Sequence, residues 1–379
     1  MTWHFIFAFL AWLSLALLVW QWVVARQFPL HRRNSQPSFF PPVTLLKPLK
    51  GCDPFTEDCL RSWFRQEYAG PVQLLFGVAS PDDPVCALVR KLLAELPQVD
   101  ARLVVCGPLA STNLKVSKLM QLAQLARNEI WVISDADVRV PPDFLTNVVA
   151  PLQAPEIGLV NCFYRLANPV SLAMHLEALT INADFWSQVL QAQSLKPLDF
   201  ALGAVMATRR QLVEDSGGLV ALKDCLADDY QLGHRIARRG HRISLSSVVV
   251  DCWDAPKGWR EVWKHQLRWA RTIRVCQPLP YFFSILNNPT LWLVLWAAIT
   301  ADTASFIFLG VCVVVRTFMA IDLESRLSQS PPRWRYAWLA PIKDLLQTIL
   351  WALAFLGNRV EWRGERMRLK RDGTLVREG

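Results

Sequence analysis

The residues best placed to do chemistry are carboxylates. Ser134-Asp135-Ala136-Asp137 closes the hydrophobic run EIWVISDAD (129–137). A buried strand that ends in acids at i and i+2 presents both where the chain turns, so both can reach one cation. Hard oxygen donors of this kind suit Mg2+ or Mn2+, which in turn holds a diphosphate. Asp82-Asp83 follows the run VQLLFGVA (72–79) in the same way, inside the turn-forming SPDDP. Asp228-Asp229 opens the helical pattern DDYQLGHRIARRG, where acids favour the positive end of the helix dipole. Each pair alone is ordinary turn or cap chemistry. All of them at strand ends or a helix start of one sheet domain point to a shared site.

A further constellation is His265-Gln266-Leu267-Arg268-Trp269, within GWREVWKHQLRWARTIRV. On a helix His265, Arg268 and Trp269 share a face at i, i+3 and i+4, whereas Gln266 is turned away by about 100°. Arg260, Lys264, Arg268 and Arg271 follow helical spacing, and Trp259, Trp263, Leu267, Ala270 and Ile273 make an apolar stripe. Such a helix lies in a membrane interface, with Trp among the headgroups and Arg at lipid phosphates. Arg268 and Trp269 are expected to turn toward the site.

The elements that must position these residues follow from pattern. The runs VTLLKP (43–48), VQLLFGVA (72–79), ARLVVCG (101–107), EIWVISDAD (129–137) and IGLVNCF (157–163) alternate with helical stretches such as 84–96 and 114–127. Apolar runs joined by helices read as buried parallel strands of an open α/β sheet, whose ligands bind beyond the carboxyl ends of the strands. Phe5 to Val24 is uncharged for twenty residues and long enough to cross a membrane. Arg26, Arg32 and Arg33 follow it, which by the positive-inside rule makes the next segment cytosolic. The Pro-rich PSFFPP (37–42) reads as a stiff linker. Leu286 to Leu323 is nearly all apolar and reads as two joined spans with Asp302 at the turn, and Trp338 to Gly357 as a third span or an interfacial helix because of Lys343 and Asp344. The expected organisation is an anchor over 1–25, a catalytic domain over 43–256, an amphipathic interfacial helix over 257–280, membrane segments over 284–357 and a charged cytosolic tail over 358–379.

Composition agrees. The 379 residues are 52% hydrophobic and only 19% charged, with 17 Trp, which is too greasy for an ordinary soluble chain. The net charge of +9 suits an anionic membrane face or a phosphorylated substrate. No zinc-finger spacing, aromatic RNA-binding signature or basic tail accompanies it, so nucleic acid is not an expected partner. Nine scattered Cys without a C-x-x-C pair read as reduced thiols, and the six His show no H-E-x-x-H.

SPDDP, SDADVRV, LADDYQLG and HQLRW in this order, between an N-terminal span and an apolar hairpin, resemble the ceramide glucosyltransferase family of inverting GT-A glycosyltransferases. LLKPLKGCDP (45–54), PQVDARLVVCG (97–107), NLKVSKLM (113–120) and WRGERMRLKRDG (362–373) extend the likeness over most of the chain. HQLRWARTIR followed by QPLPYFFS looks most like the bacterial glycosyltransferases of hopanoid biosynthesis. The resemblance implies a GT-A catalytic domain, Rossmann-like with a mostly parallel sheet, held by N- and C-terminal transmembrane helices in a bacterial inner membrane. It implies Asp135 and Asp137 as the pair for Mg2+ or Mn2+, Asp229 as the catalytic base, and Asp83, Lys115, His265, Arg268 and Trp269 as contacts to the nucleotide sugar. His265 departs from the family's (Q/R)xxRW, in which Gln or Arg takes its place. The implied partners are a UDP-sugar donor carrying glucose or N-acetylglucosamine, a lipid acceptor such as a hopanoid polyol or ceramide, and membrane lipids. A processive polysaccharide synthase would share D-x-D and R-W but needs more spans. A non-catalytic binder of nucleotide sugar or lipid would have no use for Asp229.

Overall fold

The computed structural model describes residues 2–34, 38–362 and 365–377. Pro37 of the expected linker, and Arg363 and Gly364 of the closing motif, lie outside them. Eight strands form one sheet: β1 (Val43–Pro48), β2 (Val72–Val78), β3 (Ala101–Val105), β4 (Ile130–Ser134), β5 (Val138–Arg139), β6 (Ile157–Leu166), β7 (Val205–Arg209) and β8 (Arg242–Cys252). Their order is β3-β2-β1-β4-β7-β6-β8-β5. β1 pairs in parallel with both β2 and β4, so the chain winds outward in both directions from β1. Such a reversal opens a crevice at the carboxyl ends of the two strands it separates. Here those ends carry Lys47 and Ser134-Asp135.

The parallel reading holds for β1 to β4 and for β6 with β8. The sheet is thus mostly parallel, as expected, and its antiparallel members are β7, which runs antiparallel to β4 and to β6, and β5, antiparallel to β8, neither of which is among the runs that pattern marks as strands. An apolar run such as VMATR is buried on both faces whichever way it points, so burial alone carries no strand direction.

α1 (Thr2–Gln27) precedes the sheet, and α2 (Thr56–Phe64), α3 (Val85–Glu95) and α4 (Leu114–Leu125) fill its crossovers. α5 (Phe144–Val149) follows β5. Between β6 and β7 run α6 (Leu172–Leu179), a π-helical turn (Thr180–Phe185) and α7 (Trp186–Leu195). α8 (Arg210–Asp215) and α9 (Asp228–Arg238) lead to β8. One apolar core packs Leu46, Leu75, Ile133, Phe163 and Trp186 on one side of the sheet, and another packs Leu45, Trp63, Phe76, Val132 and Phe144 on the other. The alternation of Leu45 and Leu46 between the two cores is the period-2 geometry of a strand covered on both faces.

After β8 come α10 (Trp259–Cys276), α11 (Pro278–Phe283), α12 (Pro289–Thr300), α13 (Thr303–Ser328) and α14 (Leu339–Phe355). α1 and α13 are long and apolar enough to cross a membrane. They lie side by side in register: Trp12 meets Phe308 at 4.6 Å, and nearer the other end Trp22 Nε1 donates to Asp322 at 2.8 Å. Of the two spans expected over 286–323, α13 has membrane length by itself, and the other leg reaches it only when α12 is taken together with the bent Pro278–Asn287 segment. Asp302 does sit at the turn, capping α13 by accepting the Ser305 N–H at 2.7 Å. α12 on the other side is 12 residues, about 18 Å, and meets the Pro278–Asn287 segment at a bend of 54°. In α14, Lys343 and Asp344 are buried and paired rather than lipid-facing. Arg316 of α13 binds Asp344 at 2.9 Å and Asp184 of the π-helical turn at 2.8 Å, and Lys343 also binds both acids.

The charged segment after Asn358 folds into a second sheet, β9 (Arg359–Trp362), β10 (Glu365–Leu369) and β11 (Leu375–Arg377). Val360, Met367, Leu369 and Leu375 pack on Leu226. The Leu226 N–H donates to Gly373 O at 3.1 Å and the Leu375 N–H to Asp224 O at 2.7 Å, so this sheet fixes the loop that enters α9.

Candidate active site

The crevice is built around two lysines. Lys47, fully buried at the end of β1, donates to Ser134 Oγ at 3.1 Å and to the carbonyl of Asp135. Burial pulls its ammonium down to about 8, against the opposing pull of Cys59, Asp137 and Asp135. Lys115 opens α4, whose first turn is capped by Asn113 accepting the N–H groups of Lys115 and Val116 at 3.0 and 3.2 Å. Its Nζ binds Asp135 Oδ1 at 2.8 Å and Asp228 Oδ2 at 3.1 Å. Burial works against the charge of Lys115, yet Asp135 and Asp228 override it and hold the ammonium above its ordinary value.

The carboxylates around these cations crowd one another. Burial, then Asp135 and Asp254, push the Asp137 carboxyl up to about 6. Burial and the adjacent Asp228 likewise push Asp229 up to about 6. Among the described residues no group of three or more His, Cys, Asp and Glu side chains stands ready to enclose a metal. A magnesium-type ion needs no such cage, since it is held by one or two carboxylates together with substrate phosphates. Mutual repulsion between Asp135 and Asp137 is what a divalent cation would relieve, so the donor set fits one.

Asp229 is seated by glycine. A Cβ on Gly203 would collide with Asp229 Oδ2, and one on Gly233 would strike the backbone of Phe200 and Ala201. The first turn of α9 therefore rests directly against the 200–204 loop. Tyr230 carries the contact onward to α10, its hydroxyl donating to Cys276 O at 2.9 Å.

On α10, His265 Nδ1 meets Glu177 Oε1 of α6 at 2.5 Å, and Gln266 Nε2 donates to the same oxygen at 3.1 Å. The helical turn that separates His265 from Gln266 does not divide their roles, because Glu177 lies between them. Glu177 is fully buried, and its Oε2 has no hydrogen-bond partner among the described residues. Burial opposes its charge, but the His265 donor more than offsets this and keeps the carboxyl below its usual range. Burial draws His265 below the ordinary imidazole value. A neutral imidazole donating from Nδ1 to an ionised Glu177 satisfies both.

Trp269, one turn on, packs against His265 at 5.0 Å, Phe185 at 5.6 Å and Tyr164 at 6.4 Å. Tyr164 joins this aromatic cluster to the acids. Burial, and after it Cys252, Asp229, Asp135 and Asp137, raise its phenol well above the ordinary value. Asp135, Asp137, Asp229 and Lys115 thus lie within one electrostatic cluster, which Tyr164 connects to Trp269 of α10, where Arg268 is half-buried. Asp83 stands apart. Its carboxylate accepts the N–H of Gly51 at 3.0 Å and of Val85 at 3.1 Å, tying together the loops after β1 and β2. Gly51 there has φ +73°, a left-handed conformation that suits glycine.

Lys47, Tyr164 and Glu177 are site residues that spacing does not single out. Lys47 carries a legible signal, a lone cation in the otherwise apolar strand run VTLLKP. Glu177 and Tyr164 carry none, since each lies in an apolar stretch and gains meaning only from what packs on it.

The profile of Glycosyl transferase family 21 matches residues 5–375. Ceramide glucosyltransferase 3 of Caenorhabditis elegans is 24% identical over 224 residues, 58% of this chain and 48% of that protein. Ceramide glucosyltransferase of Candida albicans is 32% identical over 154 residues, 37% of this chain and 28% of that protein. The chain thus aligns with about half the length, or less, of these curated relatives. A mannosyltransferase from Pyrobaculum calidifontis, solved with GDP-Man and Mn2+, superposes with a TM-score of 0.53 at 22% identity, covering 89% of this chain and 99% of that one, and so shares its fold. The α/β sheet with acids at its strand ends is a GT-A fold flanked by apolar helices, and the chain belongs to glycosyl transferase family 21.

Proposed function

We propose that this protein is an inverting glycosyltransferase that moves glucose or N-acetylglucosamine from a UDP-sugar to a hydroxyl of a membrane lipid, a hopanoid polyol such as bacteriohopanetetrol or a ceramide. It works at the cytosolic face of a bacterial inner membrane. The observation that carries this reading is the position of Tyr164, in the field of Asp135, Asp137 and Asp229 on one side and against Trp269 on the other. That puts the charged end of the cleft and the helix expected to lie in the membrane interface within one side chain of each other.

Asp135 and Asp137 would hold a Mg2+ or Mn2+ ion, which when bound neutralises the diphosphate of the leaving group. Lys115 orients Asp135 and adds positive charge at that end. Asp229, ionised above about pH 6, takes the proton of the acceptor hydroxyl as it attacks the anomeric carbon. One displacement from the face opposite the leaving group inverts the anomeric centre and needs no covalent intermediate. Arg268 faces the departing diphosphate, and Trp269 forms the wall along which the acceptor lipid enters sideways. The loops tied by Asp83 border the nucleotide.

The test is transfer by the full chain in nanodiscs, with labelled UDP-glucose and UDP-N-acetylglucosamine each offered to ceramide, to bacteriohopanetetrol and to no lipid. A single β-linked sugar on one lipid is expected. Polymer growth would point instead to a processive synthase, and no transfer to any lipid would end the reading.

A further inference from the structure

Where α1 and α13 end side by side, a cavity of about 360 Å3 opens between them and the sheet, lined by none of the site residues described above. His31, Arg33, Arg139, Arg165, Asp251 and Gln329 are among the residues that line it. Its charges do not balance. Asp251 alone serves two guanidinium groups, Arg139 at 2.9 Å and Arg165 at 2.6 Å, while Arg33 is paired at the rim with Asp143 at 2.6 Å. The excess positive charge is felt by His31, which burial, and beyond it Arg33 and Arg165, hold below the ordinary imidazole value.

The backbone of the wall is unusual as well. Among the described residues only three that are not glycine adopt positive φ, and two of them are here, His31 at +63° and Gln329 at +50°. His31 is clamped, its N–H donating to Ser247 O at 2.6 Å and its Nε2 lying 3.0 Å from Arg326 O, and Gln329 is the left-handed residue that ends α13, next to Ser328, whose carbonyl accepts from Arg165 at 2.6 Å. Left-handed residues held this firmly concentrate at ligand sites. Guanidinium forks with donors to spare match the oxygens of a phosphate. The cavity lies at the level where the two membrane-length helices stop, the depth of a lipid headgroup if α1 and α13 are spans.

We propose that this cavity binds the phosphate group of an anionic phospholipid at the base of α1 and α13. Native mass spectrometry of the full chain, purified in detergent and given equal amounts of phosphatidylglycerol and phosphatidylcholine, tests it. One phosphatidylglycerol per chain should be retained and phosphatidylcholine lost. Arg139→Gln should weaken retention about tenfold or more, the effect of removing a charge-assisted hydrogen bond. Arg33→Gln, on the rim, should do the same and carries the test should Arg139→Gln fail to fold. Equal retention of both lipids, or retention by folded variants at the level of the parent, would overturn the proposal. Inorganic phosphate at the same concentration should leave the lipid bound. Displacement by it, lost in the same variants, would support a phosphate site and overturn its assignment to a lipid.

Discussion

Glu177 offers the sharpest perturbation, because one buried carboxylate oxygen receives both His265 and Gln266. Glu177→Ala leaves two buried donors without an acceptor, at about 1–3 kcal/mol each. If His265 and Gln266 relax in part, a net loss of about 2–4 kcal/mol follows, shared between folding stability and transition-state positioning. Were all of it expressed in catalysis, kcat/KM would fall about 30- to 1,000-fold. Glu177→Gln keeps the shape and an acceptor oxygen but exchanges a charge-assisted bond for a neutral one, about 1 kcal/mol or some fivefold. His265→Gln retains a donor toward Glu177 and should also be mild, whereas Gln266→Ala should match His265→Ala within a few fold. The assay is lipid glycosylation in nanodiscs, with thermal unfolding measured on each variant. A double-mutant cycle separates local from general damage: Glu177→Ala with His265→Ala should be no worse than Glu177→Ala alone. Because Glu177 raises the His265 pKa, any part of the pH profile that His265 controls should move to lower pH in Glu177→Gln. Additive effects in the cycle, with an unmoved profile, would refute a shared role for these residues.

Replacing Asp135 or Asp137 by Ala should abolish transfer and weaken donor binding without unfolding the chain, and chelation should copy the effect; full activity of both variants in EDTA would remove the metal from the scheme. Asp229→Asn should eliminate turnover while donor affinity is largely kept, since a general base acts in the transition state. The carboxyl of Asp229 is raised to about 6, so it is ionised above that pH and protonated below it. Activity should fall on acidification through pH 6 with a slope of about one proton, and a limb centred near 4 would contradict the assignment. Gly203→Ala should cut kcat by tenfold or more, because its Cβ displaces the Asp229 carboxylate, with donor KM little changed; unaltered kcat would show that Asp229 is not seated as described.

The parts of the site legible in the sequence are those carried by a regular strand. Asp135 and Asp137 announce themselves because EIWVIS is apolar throughout and can only be buried, which leaves the acids at its exit. Asp228 and Asp229 are legible together as the opening of an amphipathic helix, but the Lys115 bridge that ties Asp228 to Asp135 joins residues 93 apart in sequence. No local pattern records such a pairing. The same limit explains β7 and β5, whose directions depend on connections and not on side chains, and α14, whose Lys343 and Asp344 look costly in lipid until Asp184 and Arg316 supply their partners. Gln266 was judged peripheral from helical spacing alone. Spacing fixes directions around one helix but says nothing of an acceptor placed between two of them.

These long-range partners converge on one short segment. Glu177 and Asp184 stand seven residues apart, on either side of most of the π-helical turn that joins α6 to α7. Glu177 is gripped by His265 and Gln266 of the helix that carries Arg268 and Trp269, and Asp184 by Arg316 and Lys343 of α13 and α14. Next to Asp184, Phe185 packs on Trp269 and Tyr164. A π-turn breaks the ordinary hydrogen-bond ladder and is kept where side chains must be aimed in ways a regular helix does not allow. Here it lets one helical segment face α10 at one end and α13 and α14 at the other. The aromatic wall of the cleft is therefore held in place by the charges buried among the apolar helices, which gives Arg316, Lys343 and Asp344 a positional reason to be there despite the cost of burying them.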